Sequence, residues 1–323
     1  MNKSIVCFSA NRTCHHDDYF LLISTQKKAI NVKNSWLKLK YLLSNKAIMF
    51  FDIDSRDLIF LPLILLRSIW TNGNYAISVR TEYLIEGGTF KEFLKKPEDL
   101  IFFKSYIKKN MFRVIKCFSN TNLISIHKNH PFEKIIGKYV NSFIYDPQLW
   151  DLNVLSILKS KPPEIDENIF HEMKKTVLVA GRLNGQRSKS ELIDYLKINK
   201  TFNFIIAGNV QKEDLVILKE LENCLVLNRF LSNEELLYLL NKCHIIYCFY
   251  TNDRPSGFFG RALQLNKPII VRENRYLDRM FLEYKNLIKV KSLNQLPVIV
   301  NSFESEIYES NIFDDSKYFF NML

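Results

Sequence analysis

Short apolar runs alternate along this chain with amphipathic stretches, the pattern of βαβ construction around parallel sheets. In the first half the runs predict strands at residues 4–8, 47–53, 75–79, 123–126 and 142–145, with helices at 36–43, 57–70, 100–117 and 132–139. The rhythm lapses over 146–174, where Pro147, Pro162 and Pro163 stand among many charges, and this predicts a linker. It then restarts. Strands are expected at 176–180, 202–207, 224–227, 245–249 and 268–271, and helices at 188–198, 212–221, 233–242 and 257–265. Ser232 followed by Glu235 is a capping box that opens the helix at Asn233. The order predicts an α/β fold of two Rossmann-like domains facing across a cleft, with boundaries at 1–147, 148–174 (linker), 175–302 and 303–323.

Composition narrows the class. With 47% hydrophobic and 24% charged residues the 323-residue chain is neither disordered, collagen-like nor a coiled coil. Its 9 glycines form neither a P-loop nor a G-x-G-x-x-G fingerprint, so any phosphate is held by other means. Lys and Arg number 45 against 34 Asp and Glu, a net +11 that favours an anionic partner: nucleic acid, an anionic membrane surface or a phosphorylated substrate. No nucleic-acid partner is expected, because no helix-turn-helix, zinc or aromatic RNA-binding pattern accompanies the charge. The six cysteines lack C-x-x-C spacing and read as reduced core thiols of a cytoplasmic protein. The longest apolar run, 58–70, contains Pro62 and Arg67 and falls short of the roughly 20 residues that span a bilayer.

In open α/β sheets ligands bind beyond the carboxyl ends of strands, so the turns there carry the candidate chemistry. After the strand at 176–180 come Gly181, Arg182, Leu183, Asn184, Gly185, Gln186, Arg187, Ser188 and Lys189, three cationic side chains on one turn entering a helix. Guanidinium forks and a helix N-terminus both suit phosphate oxygens, although a basic surface turn has the same composition. A second turn, Asp253-Arg254-Pro255-Ser256-Gly257, leads into a helix containing Gly260 and Arg261. Ser256 is placed to cap that helix and the glycines leave room for a ligand or for another backbone. Gly208 ends the next strand.

Together the runs ending at Gly181-Arg182 with Arg187 five positions on, Ile205-Ile206-Ala207-Gly208, Leu231-Ser232-Asn233-Glu234-Glu235-Leu236 and Asn266-Lys267-Pro268-Ile269-Ile270-Val271 resemble the C-terminal domain of GT-B glycosyltransferases similar to the large family 4. The resemblance covers about 176–271. It implies a nucleotide-sugar donor bound at 175–302, an acceptor bound by 1–147, and a terminal segment 303–323 packing back on the first domain. It further implies a retaining, hexosyltransferase-like reaction with no cofactor and no metal, a glycan or lipid-linked glycan acceptor, and a role in bacterial surface polysaccharide, lipopolysaccharide, O-antigen or capsule assembly. Arg182 and Arg187 would hold the donor diphosphate, with Gly181, Gly208, Arg254, Ser256 and Gly257 around it. Asp253 and Arg261 stand at the two acidic positions of the family motif. The second acid is thus replaced by a guanidinium, which leaves a non-catalytic GT-B-like glycan-binding or partner subunit as the alternative.

In the first half, Asp52, Asp54 and Asp57 follow one predicted strand and Arg80, Thr81 and Glu82 follow another. Asp54, Arg80, Glu82 and His127 are the candidate acceptor ligands, with Glu82 beside Arg182 and Arg187 as the catalytic candidates. Asp54 or Asp57 could equally cap the following helix. Cys14-His15-His16-Asp17-Asp18 has metal-ligand types without a metal spacing and reads as a polar loop. The stretch 91–116 interleaves lysines and arginines with aromatics, which suits either peripheral contact with an anionic membrane at the inner face or a solvated surface over core aromatics.

Overall fold

The computed structural model describes residues 4–9, 15–54, 59–79, 84, 100–130, 132–150, 160–170, 173–252, 256–303 and 313–323. The chain divides into two compact units, Met1–Leu152 with Phe313–Leu323, and Asn153–Ile312.

The first unit runs β1 (Ile5–Phe8), α1 (His15–Gln26), β2 (Ala29–Val32), α2 (Ser35–Leu42), β3 (Ala47–Phe50), α3 (Leu61–Arg67), β4 (Asn74–Ser78), α4 (Leu100–Phe118), β5 (Thr121–Ser125), α5 (Glu133–Ile136) and β6 (Ser142–Phe143). Its six strands are parallel, in the order β2-β1-β3-β4-β5-β6. This is the flavodoxin-like doubly wound order with one strand added. Val6, Phe8, Ile48, Phe50 and Leu123 bury one face of the sheet with Phe112 and Ile115 of α4. Arg67 is wholly buried at the end of α3, where its guanidinium donates to the carbonyls of Leu42, Ser44 and Lys46 and to Asn74 Oδ1 (2.7 Å). It satisfies the last carbonyls of α2 while tying two helices to β4.

The second unit runs β7 (Thr176–Ala180), α6 (Lys189–Ile198), β8 (Asn203–Ala207), α7 (Lys212–Lys219), β9 (Cys224–Leu227), α8 (Asn233–Lys242), β10 (Ile245–Cys248), α9 (Gly257–Gln264), β11 (Ile269–Arg272), α10 (Tyr276–Met280), β12 (Leu287–Val290) and α11 (Leu296–Asn301). The sheet reads β9-β8-β7-β10-β11-β12, all parallel, which is the 3-2-1-4-5-6 order of dinucleotide-binding folds. β7, β8 and β10 are buried along their whole length, as strands covered by helices on both faces must be. The capping box at Ser232 is formed: its Oγ accepts from Glu235 N–H (3.1 Å) and Glu235 Oε2 accepts from Ser232 N–H (2.8 Å). A last helix, α12 (Ser316–Met322), belongs to the first unit, with Phe319 packed 5.4 Å from the Trp150 ring and Asp315 2.6 Å from Lys128 Nζ.

Several expectations are corrected. Residues 15–18 open α1 rather than forming a loop, since Asp17 and Asp18 sit favourably in a first helical turn; His16 packs on Phe51 and Asp17 pairs with Lys33. Cys14 of that cluster lies outside the described residues. In the stretch where a helix is expected from Asp57, the α-helix runs Leu61–Arg67 after a 3-10 turn at 59–60, with Phe60 as a cap lacking a side-chain bond and Pro62 in the first turn. Asp57 is outside the described residues. β2 and β12 escape the pattern because each is four residues flanked by polar positions. Cys117 is exposed, whereas Cys7, Cys243 and Cys248 are core thiols, Cys248 pushed up to about 12 by burial. Among the described residues no helix is long and apolar enough to cross a membrane.

Candidate functional site

In the second unit β7 and β10 are neighbours, and the connection after β7 runs to β8 while that after β10 runs to β11, in opposite directions. Such a switch point opens a crevice between the turns that follow the two central strands. The turn after β7 starts at Gly181, whose φ of +95° favours glycine and whose N–H donates to Ala207 O (2.7 Å). Gly208, at φ +139°, lies so close that a Cβ there would overlap the Gly181 carbonyl and stand 2.9 Å from its Cα. At the far end of the same turn Ser188 is left-handed (φ +53°), and its Oγ donates to Phe249 O (2.8 Å). Thr251 N–H donates to Gln186 O (2.9 Å). The turn 181–188 is thus fixed by the ends of β8 and β10.

This framework places the cations. Arg187 Nη1 donates to the Ala180 carbonyl and to the Tyr250 hydroxyl (3.1 Å), and its guanidinium carbon stands 5.0 Å from the Tyr250 ring centre. Its Nη2 occupies ground that any side chain at position 181 would invade, 2.7 Å from the Cβ position. Burial holds the Tyr250 pKa above the ordinary tyrosine range, with the nearby Ser256 side chain and the Arg187 charge acting against it. Ser256 Oγ accepts from Phe259 N–H (3.3 Å) as the N-cap of α9, with Gly257 as its first residue. Arg187 and Tyr250 are thus in direct contact, and Ser256, six residues after Tyr250, caps the start of α9 near them. Arg182 is exposed, and among the described residues it has no hydrogen-bond or ion-pair partner. Arg261 is half-buried in the second turn of α9. Asp253 and Arg254 lie outside the described residues.

Sequence reasoning passed over two members of this site. Tyr250 reads as the end of an apolar strand run. Arg272 is the last residue of β11, and its guanidinium stacks 3.8 Å from the Phe249 ring centre while Nη2 donates to Ser188 Oγ (2.9 Å) and Glu191 Oε2 (2.6 Å). The strand-end rule, applied to β11 as it was to β7 and β10, would have found it. Guanidinium forks and a capped helix N-terminus are both groups whose chemistry suits an anion such as a diphosphate.

In the first unit Asp54 is buried at the end of the turn after β3. It accepts from Ser78 Oγ (2.9 and 3.1 Å) and Val79 N–H, and pairs with Lys108 Nζ of α4 at 2.7 Å, both side chains almost without exposure. His127 lies close by and is buried; desolvation first, then the charges of His130 and Lys108 against that of Asp54, lower its pKa to about 3, so it is neutral. Asp54 and His127 are brought together, while Arg80 and Glu82 lie outside the described residues. Two of the basic residues expected on a membrane-facing stretch turn inward: Lys108 to Asp54, and Lys116 to the carbonyls of Gly137 and Val140 (2.7 Å each). Among the described residues no group of three or more His, Cys, Asp or Glu could hold a metal ion.

No family model matches the chain, and no curated protein matches it by sequence. Solved structures do match in fold. WaaG, a glycosyltransferase involved in lipopolysaccharide biosynthesis, superposes with a TM-score of 0.53 at 11% identity, over 93% of this chain and 90% of that one. HepE of Anabaena in complex with UDP-glucose gives 0.58 at 13% identity, over 93% and 89%. Sucrose-phosphate synthase of Thermosynechococcus elongatus gives 0.60 at 9% identity, over 93% and 89%. With its two Rossmann-like sheets, the chain has a GT-B fold.

Proposed function

We propose that the chain is a glycosyltransferase moving a sugar from a nucleoside-diphosphate donor to a glycan or lipid-linked glycan acceptor, with retention, in surface polysaccharide or lipopolysaccharide assembly in the cytoplasm. The observation that carries this reading is the Arg187–Tyr250 contact near the Ser256-capped start of α9, at the switch point of the second unit. A diphosphate seated there would meet the free faces of Arg187, the exposed Arg182 and the first N–H groups of α9. Glycosyl transfer breaks the bond between the sugar's anomeric carbon and the β-phosphate oxygen, leaving its electron pair on the diphosphate, while the acceptor hydroxyl oxygen bonds to that carbon and its proton passes to the departing phosphate oxygen. The guanidinium of Arg187, held by Ala180 O and Tyr250, would stabilise the charge on the departing oxygen at the moment it develops, with Arg182 beside it, the role a divalent cation fills in other transferases. HepE, bound to UDP-glucose, gives the fold a precedent for such donors.

A non-catalytic glycan-binding or partner subunit is the second reading, favoured by Arg261 where the resembled family has an acid. Thermal melting against UDP-, GDP-, CMP- and ADP-linked sugars tests both, because a ligand bound only by the folded state raises the melting temperature. A selective rise that Arg182→Ala abolishes, together with hydrolysis of that donor, supports the transferase. Nucleotide binding without turnover, in the presence of glycan acceptors, supports the second reading.

A further inference from the structure

All strands of the first unit are parallel, so its five helix-to-strand connections lie on one edge of the sheet, opposite the carboxyl ends that carry Asp54 and His127. These connections are residues 27–28, 43–46, 68–73, 119–120 and 137–141. They hold Lys27, Lys28, Lys46 and Lys138 and not one Asp or Glu. On the same edge large apolar side chains stand in solvent: Leu43 is 61% exposed, Ile69 79%, Trp70 42% and Phe118 75%. They are neighbours by construction. Arg67, two residues before Ile69, donates to the carbonyls on both sides of Leu43. Asn120, two residues after Phe118, donates to Ser68 O (2.9 Å) and Asn72 Oδ1 (3.0 Å), on the connection that bears Ile69 and Trp70.

From this we infer that the edge is a docking surface for an anionic lipid bilayer, with Leu43, Ile69, Trp70 and Phe118 entering the headgroup region and the lysines around them meeting lipid phosphates. Contiguous apolar side chains on a soluble surface mark an interaction site. The charge pattern chooses the occupant. A second copy docked face to face would set lysine against lysine with no Asp or Glu on these connections to receive them, whereas anionic headgroups complement the lysines and the acyl boundary accepts indole and branched aliphatic groups. The surface differs from the basic stretch 91–116, two of whose lysines the fold turns inward, and the inference does not depend on the transferase reading.

The test mixes the full chain with vesicles of phosphatidylcholine alone and of phosphatidylcholine with phosphatidylglycerol, and follows pelleting and tryptophan emission. Of the three tryptophans Trp150 is buried, so a Trp36→Phe protein reports on Trp70. The expected result is pelleting with the anionic vesicles alone, weakened by salt, with a blue shift of Trp70 emission. Ile69→Ser with Trp70→Ser abolishes it, and each of Lys28→Gln and Lys46→Gln lowers the partition coefficient by about fivefold. Ile198→Ser with Phe230→Ser, which changes two exposed apolar residues of the second unit, leaves it unaltered. The inference is overturned if the protein ignores anionic vesicles, if the Ile69/Trp70 variant still pellets, or if sedimentation shows a dimer that this variant dissolves. No activity is read, so a failure here and a failure of the nucleotide titration are separate results.

Discussion

The carbonyl of Gly181 occupies the space in which a side chain on Gly208 would begin. Two turns, 27 residues apart in the chain, thereby pack backbone to backbone beneath the Arg182 and Arg187 side chains.

Gly208→Ala is accordingly expected to cost about 2–4 kcal/mol, from a disfavoured φ and a backbone overlap together. Urea unfolding checks the stability, and nucleotide titration of the folded fraction checks the site. A variant as stable as the parent would show that the turns can separate freely.

The two arginines should separate by behaviour. Arg182 is exposed and has no partner among the described residues, so Arg182→Ala is expected to leave the melting temperature unchanged while weakening nucleoside-diphosphate binding by about tenfold or more, the loss of one charge-assisted contact. Arg187 also holds Ala180 O and Tyr250, so Arg187→Ala lowers both affinity and melting temperature. Calorimetric titration beside thermal melting distinguishes the two.

Lys108 and Asp54 form a buried pair whose partners cannot be removed singly without leaving a charge in the core. Lys108→Met is expected to destabilise by about 3–5 kcal/mol. Adding Asp54→Asn, which keeps the acceptors for Ser78 and Val79, should recover most of that loss in denaturant midpoints.

Two buried groups give stability a pH dependence of opposite sign. His127 titrates near 3 when folded against an ordinary 6.5. The unfolded chain binds the proton first, so its contribution is complete above pH 6.5 and is lost as pH falls toward 3. Asp146, which accepts from Tyr19 and Gln148, is raised by burial from 3.8 to about 6. Its folded state keeps the proton longer, so its contribution is present at low pH and is lost as pH rises through 6. Asp146→Asn should therefore gain stability relative to the parent between pH 4 and 7. His127→Gln should flatten the loss on the acid side, with both followed by unfolding midpoints across pH.

Much of the second unit was legible in order. Thr176–Ala180, Cys224–Leu227 and the helix Asn233–Lys242 stand where the pattern predicts them, since buried parallel strands are continuous apolar runs and the Ser232–Glu235 box is a local signal. The first unit was less so. β2 pairs with β1 although Ala29–Val32 is only half-buried, and α1 begins in a cluster whose residue types suggested a loop.

By itself the sequence determined the alternation of strands and helices, the capped starts of α8 and α9, the basic turn at 181–189 and the net positive charge, because each of these is set by residues close together in the chain. Which turns meet at the switch point was decided only by the tertiary structure. The strand order placing β10 beside β7 brings Tyr250 to Arg187 across 63 positions and Arg272 to Ser188 across 84. The same holds for the burial of Lys108 against Asp54 and for the gathering of Leu43, Ile69 and Phe118 on one edge. Sheet pairing fixes those neighbours through hydrogen bonds between distant segments, and no local pattern of hydrophobic and polar residues encodes the partner a strand will take.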